Sequence, residues 1–152
     1  MTRINANIKP KDLIDQHLIA EYREIVRIPN YVRNNVEKAQ ISLSRAPKEF
    51  KLNSGHVLYF YDKIQFLHAR FIALKEEMDH RNISNNISDE MFIDFPVEFY
   101  NDIESDNLIE ANKEVAQRIV ERISTMKKHP TIHGQKINIE EYSHELISKY
   151  NE

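Results

Sequence analysis

The chain has 152 residues, 41% of them hydrophobic and 30% charged, with a formal net charge of −3 and a mean hydropathy of −0.61. That length and apolar content suit one domain, spanning 1–152, around a single core. No cysteine is present and only two glycines are, which excludes disulfides, thiolate chemistry, a P-loop and a dinucleotide fingerprint.

No apolar run reaches membrane-spanning length, and the opening MTRINANIKPKD lacks the apolar centre of a signal peptide. A cytoplasmic setting with no membrane partner is expected. The net charge hides an asymmetry. Residues 1–81 carry +4, whereas residues 82–152 carry −7. Residues 89–110 hold eight acids (Asp89, Glu90, Asp94, Glu98, Asp102, Glu104, Asp106, Glu110) and no base. A polyanionic partner would therefore meet the first half of the chain and a few later cations.

Residues 2–10 read as a short extended lead ending at Pro10. Residues 12–33 read as one amphipathic helix, with Asp12 as N-cap, Asp15 as an imperfect capping-box partner, and an interruption by Pro29 near Ile28. At about 100° per residue, Ile14, Leu18, Glu21, Ile25 and Val32 share one side of it. Gln16, Arg23 and Arg27 share the other, with His17 and Glu24 in a second polar strip. Residues 39–53 read as a loop holding Pro47. The spacing of Phe60, Ile64, Leu67, Phe71, Leu74 and Met78 predicts a helix from about Tyr59 to His80, introduced by Ser54-Gly55, and Asn82–Asn86 reads as a turn. The acidic residues 87–107 read as an irregular segment whose aromatics lie over the core. Leu108, Val115, Ile119 and Ile123 predict a third helix to Met126, ended by His129-Pro130. Asn138 and Glu141 form a capping box for a short fourth helix with Tyr142, Leu146 and Tyr150 on one face.

Candidate chemistry starts with arginines one turn apart, Arg23/Arg27 and Arg118/Arg122. They read either as solvated helix faces or as phosphate contacts; the second requires the two helices to share a face. Glu24 beside them is a candidate acid/base. Removal of Met1 would leave Thr2 as the N-terminus, and an α-amine with a pKa of roughly 7.7–8.0 is partly neutral and nucleophilic near pH 7. His129 and His133 have a metal-like spacing, but Pro130 and Gly134 break the helix that would align them, so neither metal nor cofactor is expected.

MTRIN at 1–5, DQHLIAEYRE at 15–24, Arg27, IPNYV at 28–32 and EFKLNSGHVLYFYDK at 49–63 follow one another in an order and spacing that resembles the pyrimidine-dimer DNA glycosylases, the phage-type endonuclease V family. RIVERI at 118–123 extends the resemblance more weakly. It implies an all-α, compact single domain with the N-terminal segment threaded between helices one and two; the periodicities above add three main helices, long irregular loops and a short C-terminal helix. It also implies a bifunctional DNA glycosylase and abasic-site lyase, monomeric and acting on double-stranded DNA that contains a lesion. In that scheme the amine of Thr2 attacks C1′ of the damaged nucleotide and Glu24 is the acid/base. Arg3, Arg23 and Arg27 bind phosphates, Gln16, His17 and Tyr22 line the site, and Arg118 and Arg122 touch the DNA backbone. The setting would be the cytoplasm of a bacterium or a phage-infected cell.

The chain departs from the family in three places. Its tail after Pro130-Thr131 lacks the tryptophan-bearing aromatic segment, Phe71 stands where a glutamine is expected, and the linker before Pro130 is longer. The amine chemistry is untouched by these changes. They leave a different damaged or modified base open as the substrate; a lyase of pre-formed abasic sites only and a non-catalytic DNA-binding relative stand beside it as rival readings.

Overall fold

The computed structural model describes residues 2–151. After a 3-10 turn at Pro10–Asp12 come α1 (Asp15–Ile25), α2 (Arg27–Asn34), α3 (Val36–Leu43), α4 (His56–Tyr59), α5 (Ile64–His80), α6 (Ile109–Ser124), β1 (Thr131–Ile132), β2 (Gln135–Lys136) and α7 (Ile139–Tyr150). The acidic stretch between α5 and α6 contains three more 3-10 turns, Glu90–Phe92, Val97–Phe99 and Ser105–Leu108. The chain is mostly helical, and the broadest helix contacts are α1 on α5 and α6 on α7.

The periodic apolar residues make the core. Ile14, just before α1, and Leu18 and Ile25 of α1 share one core with Ile64, Leu67, Phe71, Leu74 and Met78 of α5 and Val115, Ile119 and Ile123 of α6. Burying side chains of this size contributes about 1.5–3 kcal/mol each. Phe92 and Phe99 from the acidic segment are fully buried against this core, while Val97 is exposed.

The expected helix over 12–33 is three separate elements. Asp12 does not cap it; it sits in the 3-10 turn, where its carboxylate accepts from the Tyr150 hydroxyl at 2.6 Å and pairs with Lys149 at 2.8 Å. Ile14 precedes the first turn without a side-chain cap. The break falls at Val26, three residues before Pro29, rather than near Ile28. A proline inside a helix would clash with the carbonyl four residues back, that of Ile25. Breaking at Val26 places Pro29 in the first turn of α2, where no N–H is needed.

Residues 39–43, expected in a loop, are helical, because Ala39 and Leu43 pack inward from α3. The helix expected from Tyr59 to His80 is divided by a turn at 60–63, and the sequence 54–63 forms no strand. Asn101 stabilises that division: its carbonyl accepts the Phe66 N–H at 3.2 Å and its side chain donates to the Asp62 carbonyl at 2.8 Å. The first of these satisfies an N–H that the start of α5 leaves free. α6 ends at Ser124, before His129-Pro130.

An all-α description also needs one correction, since β1 and β2 form an antiparallel hairpin with Ile132 opposite Gln135. Its two-residue turn, His133-Gly134, has φ of 52° and 75°. Positive φ at both positions matches the right-handed twist of a hairpin, and glycine takes the second position without strain. Asp15 docks this hairpin on α1: the carboxylate accepts from the Thr131 hydroxyl (2.6 Å), the Gly134 N–H (2.9 Å), the His133 N–H (3.1 Å) and Arg81 (2.9 Å).

The tail helix is 12 residues long, one more than α1, and Asn138 caps it by accepting the Glu141 N–H at 2.9 Å. Replacing Asn138 with alanine is expected to cost about 1 kcal/mol and to lower Tm by about 2–4 °C. Thermal unfolding followed by far-ultraviolet circular dichroism checks this, and an unchanged Tm contradicts it.

Candidate active site

The lead before α1 is buried although no neighbouring strand pairs with it. Ile4, Ala6 and Ile8 are fully buried and Asn5 nearly so. The polar groups of such a segment need partners, and side chains from five helices supply them, four to the backbone and one to the Asn5 side chain. Ile4 N–H donates to His56 Nε2 of α4 at 2.9 Å. The Asn5 side chain donates to Glu21 Oε1 of α1 at 2.7 Å. Asn7 N–H donates to Asn112 Oδ1 of α6 at 2.8 Å, and Lys9 N–H to the Tyr150 hydroxyl of α7 at 2.9 Å. Arg70 of α5 donates to the Ile8 carbonyl.

Glu21 explains itself only in this setting. It faces the apolar side of α1 and is 1% exposed, which an unpaired carboxylate could not sustain. Arg70 grips it with two bonds, Nε to Oε2 at 2.7 Å and Nη2 to Oε1 at 2.9 Å. Removing one member of such a pair typically costs about 3–5 kcal/mol, because the other is left buried and unpaired.

Beside this network lies a cavity of about 290 Å³ lined by Arg3, Asn5, His17, Ala20, Glu21, Glu24, Arg118, Ile119 and Arg122. Glu21 is neutralised by Arg70, so among the described residues three arginines face one carboxylate outside an ion pair, Glu24. The balance is cationic, suited to an anionic ligand that brings a reacting centre to Glu24. Arg118 is held by Asn53, whose Oδ1 accepts from Nη2 at 2.9 Å. Burial lowers the pKa of Arg122 from its ordinary value, but a guanidinium stays charged at neutral pH. His17 is largely buried, and its Nδ1 has no hydrogen-bond partner among the described residues.

The residues singled out from the sequence separate into three groups. Arg3, His17, Glu24, Arg118 and Arg122 line the cavity. Thr2 is buried at the start of the lead, one residue from the cavity wall at Arg3. The others stand elsewhere. Gln16 holds the chain around the hairpin, accepting the Thr131 N–H at 3.2 Å and donating to the His129 carbonyl at 3.3 Å. Arg23 and Arg27 are exposed and fall on two helices, because the Pro29-driven break at Val26 divides them.

Tyr22 does not line the cavity. It is 3% exposed, stacks on Phe71 with centroids 5.2 Å apart, and its hydroxyl accepts the Ile87 N–H at 2.8 Å. The same stack accounts for Phe71, whose ring completes it. His129 and His133 are apart in role as well: the first donates to the Ile137 carbonyl at 2.8 Å and the second forms the hairpin turn.

Asn5, Asn53, His56 and Arg70 were not legible as site residues. For Glu21 and Arg70 a signal existed. Each puts a charge in the middle of an apolar helix stripe, and the cheapest burial for one is the other. For Asn5, Asn53 and His56 no spacing rule gives a role, since each acts through a loop or a backbone amide.

A family model for pyrimidine dimer DNA glycosylases matches residues 1–91, which supply the lead, Glu24, His17 and the helices that fix them. Arg118 and Arg122, the other wall of the cavity, lie beyond the match.

The buried imidazoles set a pH dependence. Burial lowers the pKa of His17 and of His56, opposed in both by the Glu21 charge and in His56 also by its bond to the Lys51 carbonyl. Above about pH 6.5 both are neutral whether folded or unfolded. Below it the unfolded chain binds protons that the folded chain does not, so stability falls as pH drops from the unfolded pKa toward the lowered folded one. Asp15 acts further down. Burial opposes its ionisation most, but the Thr131 hydroxyl, the Gly134 N–H and Arg81 outweigh that and lower its pKa, so its contribution is lost only below about pH 3.9. Guanidinium unfolding is expected to give a lower midpoint at pH 5 than at pH 7.5, and a His56→Gln variant a shallower fall. A midpoint that is flat between those values contradicts the assignment.

Proposed function

The chain belongs to the pyrimidine dimer DNA glycosylase family, and on that premise we propose that it excises a UV-linked pyrimidine through its own N-terminal amine and then cuts the strand. Removal of Met1 frees the Thr2 nitrogen, whose lone pair attacks C1′ of the damaged nucleotide. The bond from C1′ to the base nitrogen breaks, and the base leaves with the bonding pair and takes up the proton that the attacking nitrogen sheds, which restores that nitrogen's lone pair. Opening of the sugar ring moves the C1′–O4′ pair onto O4′, which is protonated, and leaves an iminium between Thr2 and C1′. Glu24 then accepts the C2′ proton. A C2′=C3′ bond forms, the C3′–O bond breaks and the phosphate oxygen leaves with its pair. Water hydrolyses the iminium and returns the amine.

The observation that carries this reading is that Glu24 shares one cavity with Arg3, Arg118 and Arg122 next to the buried lead that begins at Thr2. A carboxylate there stabilises the developing iminium and serves as base for the neighbouring carbon. The three guanidiniums match the phosphodiesters on either side of an extruded nucleotide. Arg23 and Arg27, exposed at the junction of α1 and α2, remain available to more distant phosphates. Gln16 contributes by fixing the chain at 129–131.

The choice of lesion has a second reading, favoured by the tail. Residues 139–150 form a helix packed on α6 and bonded to Asp12, in place of an aromatic segment free to meet a dimer. On this reading the same amine chemistry serves another damaged pyrimidine.

A Glu24→Gln variant tests the mechanism. On ultraviolet-irradiated duplex DNA the expected loss of strand cleavage is at least about 100-fold, within the range for a lost acid/base, while binding measured by anisotropy changes little. Cleavage by the variant at the wild-type rate contradicts the mechanism. A panel of single-lesion duplexes then decides between a pyrimidine dimer and another damaged base.

A further inference from the structure

The turn before α4 and the first residue of α4 bond to a cavity arginine and to the lead beside the cavity. The conformation of the turn is unusual: Asn53 has φ +61° and Gly55 φ +87°. Gly55 is required there, since a Cβ would have to adopt that φ and would also approach the Pro47 ring at 3.1 Å. Two side chains here reach different partners. Asn53 Oδ1 accepts from Arg118 Nη2 at 2.9 Å, fixing a cavity arginine of α6. His56 Nε2 accepts the Ile4 N–H at 2.9 Å, fixing the lead.

The His56 bond depends on the tautomer. A carbonyl can only accept, so the Lys51 carbonyl, 2.7 Å from Nδ1, places the ring proton on Nδ1 and leaves Nε2 as an acceptor. The ring itself is wedged edge-on between Phe50 and Phe60, with centroids at 5.2 and 5.3 Å. His56 is 3% exposed and lines none of the cavity. Its effect on the site therefore passes through Ile4.

We propose that His56 and Asn53 are positioning residues for the reaction, His56 holding the N-terminal nucleophile in register through the Ile4 amide and Asn53 holding Arg118 for the phosphate. The proposal rests on the amine mechanism above. Two residues separate the Thr2 nitrogen from the Ile4 nitrogen, about 7 Å of chain at full extension. A chain terminus ordinarily frays. Pinning Ile4 confines the nitrogen of residue 2 to a small volume, and a reacting atom held near its target gains a large effective concentration over a free one. Asn5 on Glu21 holds the next residue, but it fixes a side chain, whereas His56 fixes the backbone itself.

Three variants test this with borohydride trapping on an abasic-site duplex under single-turnover conditions, alongside anisotropy for binding. His56→Phe keeps the bulk and the edge-on packing but removes the acceptor. Its trapping rate is expected to fall about tenfold or more, with binding changed less than about threefold. His56→Gln restores an acceptor and is expected to recover most of the rate. Asn53→Ala is expected to reverse the split, weakening binding while the rate at saturation holds. Trapping by His56→Phe at the wild-type rate overturns the His56 role, as does a folded His56→Gln as slow as His56→Phe. Binding by Asn53→Ala equal to wild type overturns the Asn53 role. Exchange of the Ile4 amide, read by NMR, separates this from failure of the reaction scheme. Slow exchange in wild type and fast exchange in His56→Phe is expected whether or not any adduct forms, and equal exchange in the two overturns the pin. If His56→Phe does not fold, wild type and His56→Gln are compared instead, and fast Ile4 exchange in wild type overturns the pin.

Discussion

The site depends on a carboxylate buried where a carboxylate should not be. Glu21 lies on the apolar side of α1, and Arg70 enters from the apolar side of α5 to meet it with two bonds. Either group alone would be intolerable in the core; together they join the two helices whose contact is among the broadest in the fold. The same pair holds the lead, Glu21 through the Asn5 side chain and Arg70 through the Ile8 carbonyl. A segment that has no strand beside it thus keeps its polar groups satisfied inside the protein. The two aims, joining α1 to α5 and seating the lead, are served by one ion pair, and neither can be changed without the other.

From that arrangement the chemistry follows by position. On α1 the apolar stripe and Glu21 face the core, which leaves His17, Ala20 and Glu24 to line the cavity. α6, held from behind by α7, supplies Arg118 and Arg122 across from them. α7 also reaches the other end of the lead, where the Tyr150 hydroxyl accepts from Lys9 N–H and donates to Asp12. The C-terminal helix, which lies outside the family match of residues 1–91, is in this way tied to the lead that lies within it.

The sequence carried the periodic part of this and not the rest. The stripes of α5 and α6 were legible because regular apolar spacing has one cheap solution, burial against another helix. The cap at Asn138 was legible because a capping box is local. Pro29 announced a break, but its place at Val26 depended on where the proline could sit without a clash. The Asp15 carboxylate resembled a cap partner and instead docks a hairpin more than a hundred residues away, a distance at which local rules have no reach. Tyr22 and Arg23 are neighbours in a block that resembles the family's site, yet only the fold reveals that Tyr22 completes a stack with Phe71 and that Arg23 faces out.

The account stands on where the sugar is attached. Wild-type protein reduced with borohydride on an abasic-site duplex, digested with a protease and analysed by mass spectrometry with fragmentation, reads that position directly. The account predicts that Met1 is absent and that the sugar remnant sits on the α-nitrogen of Thr2. A remnant on a lysine side chain, or an N-terminus that retains Met1 in protein that still cleaves, would contradict it.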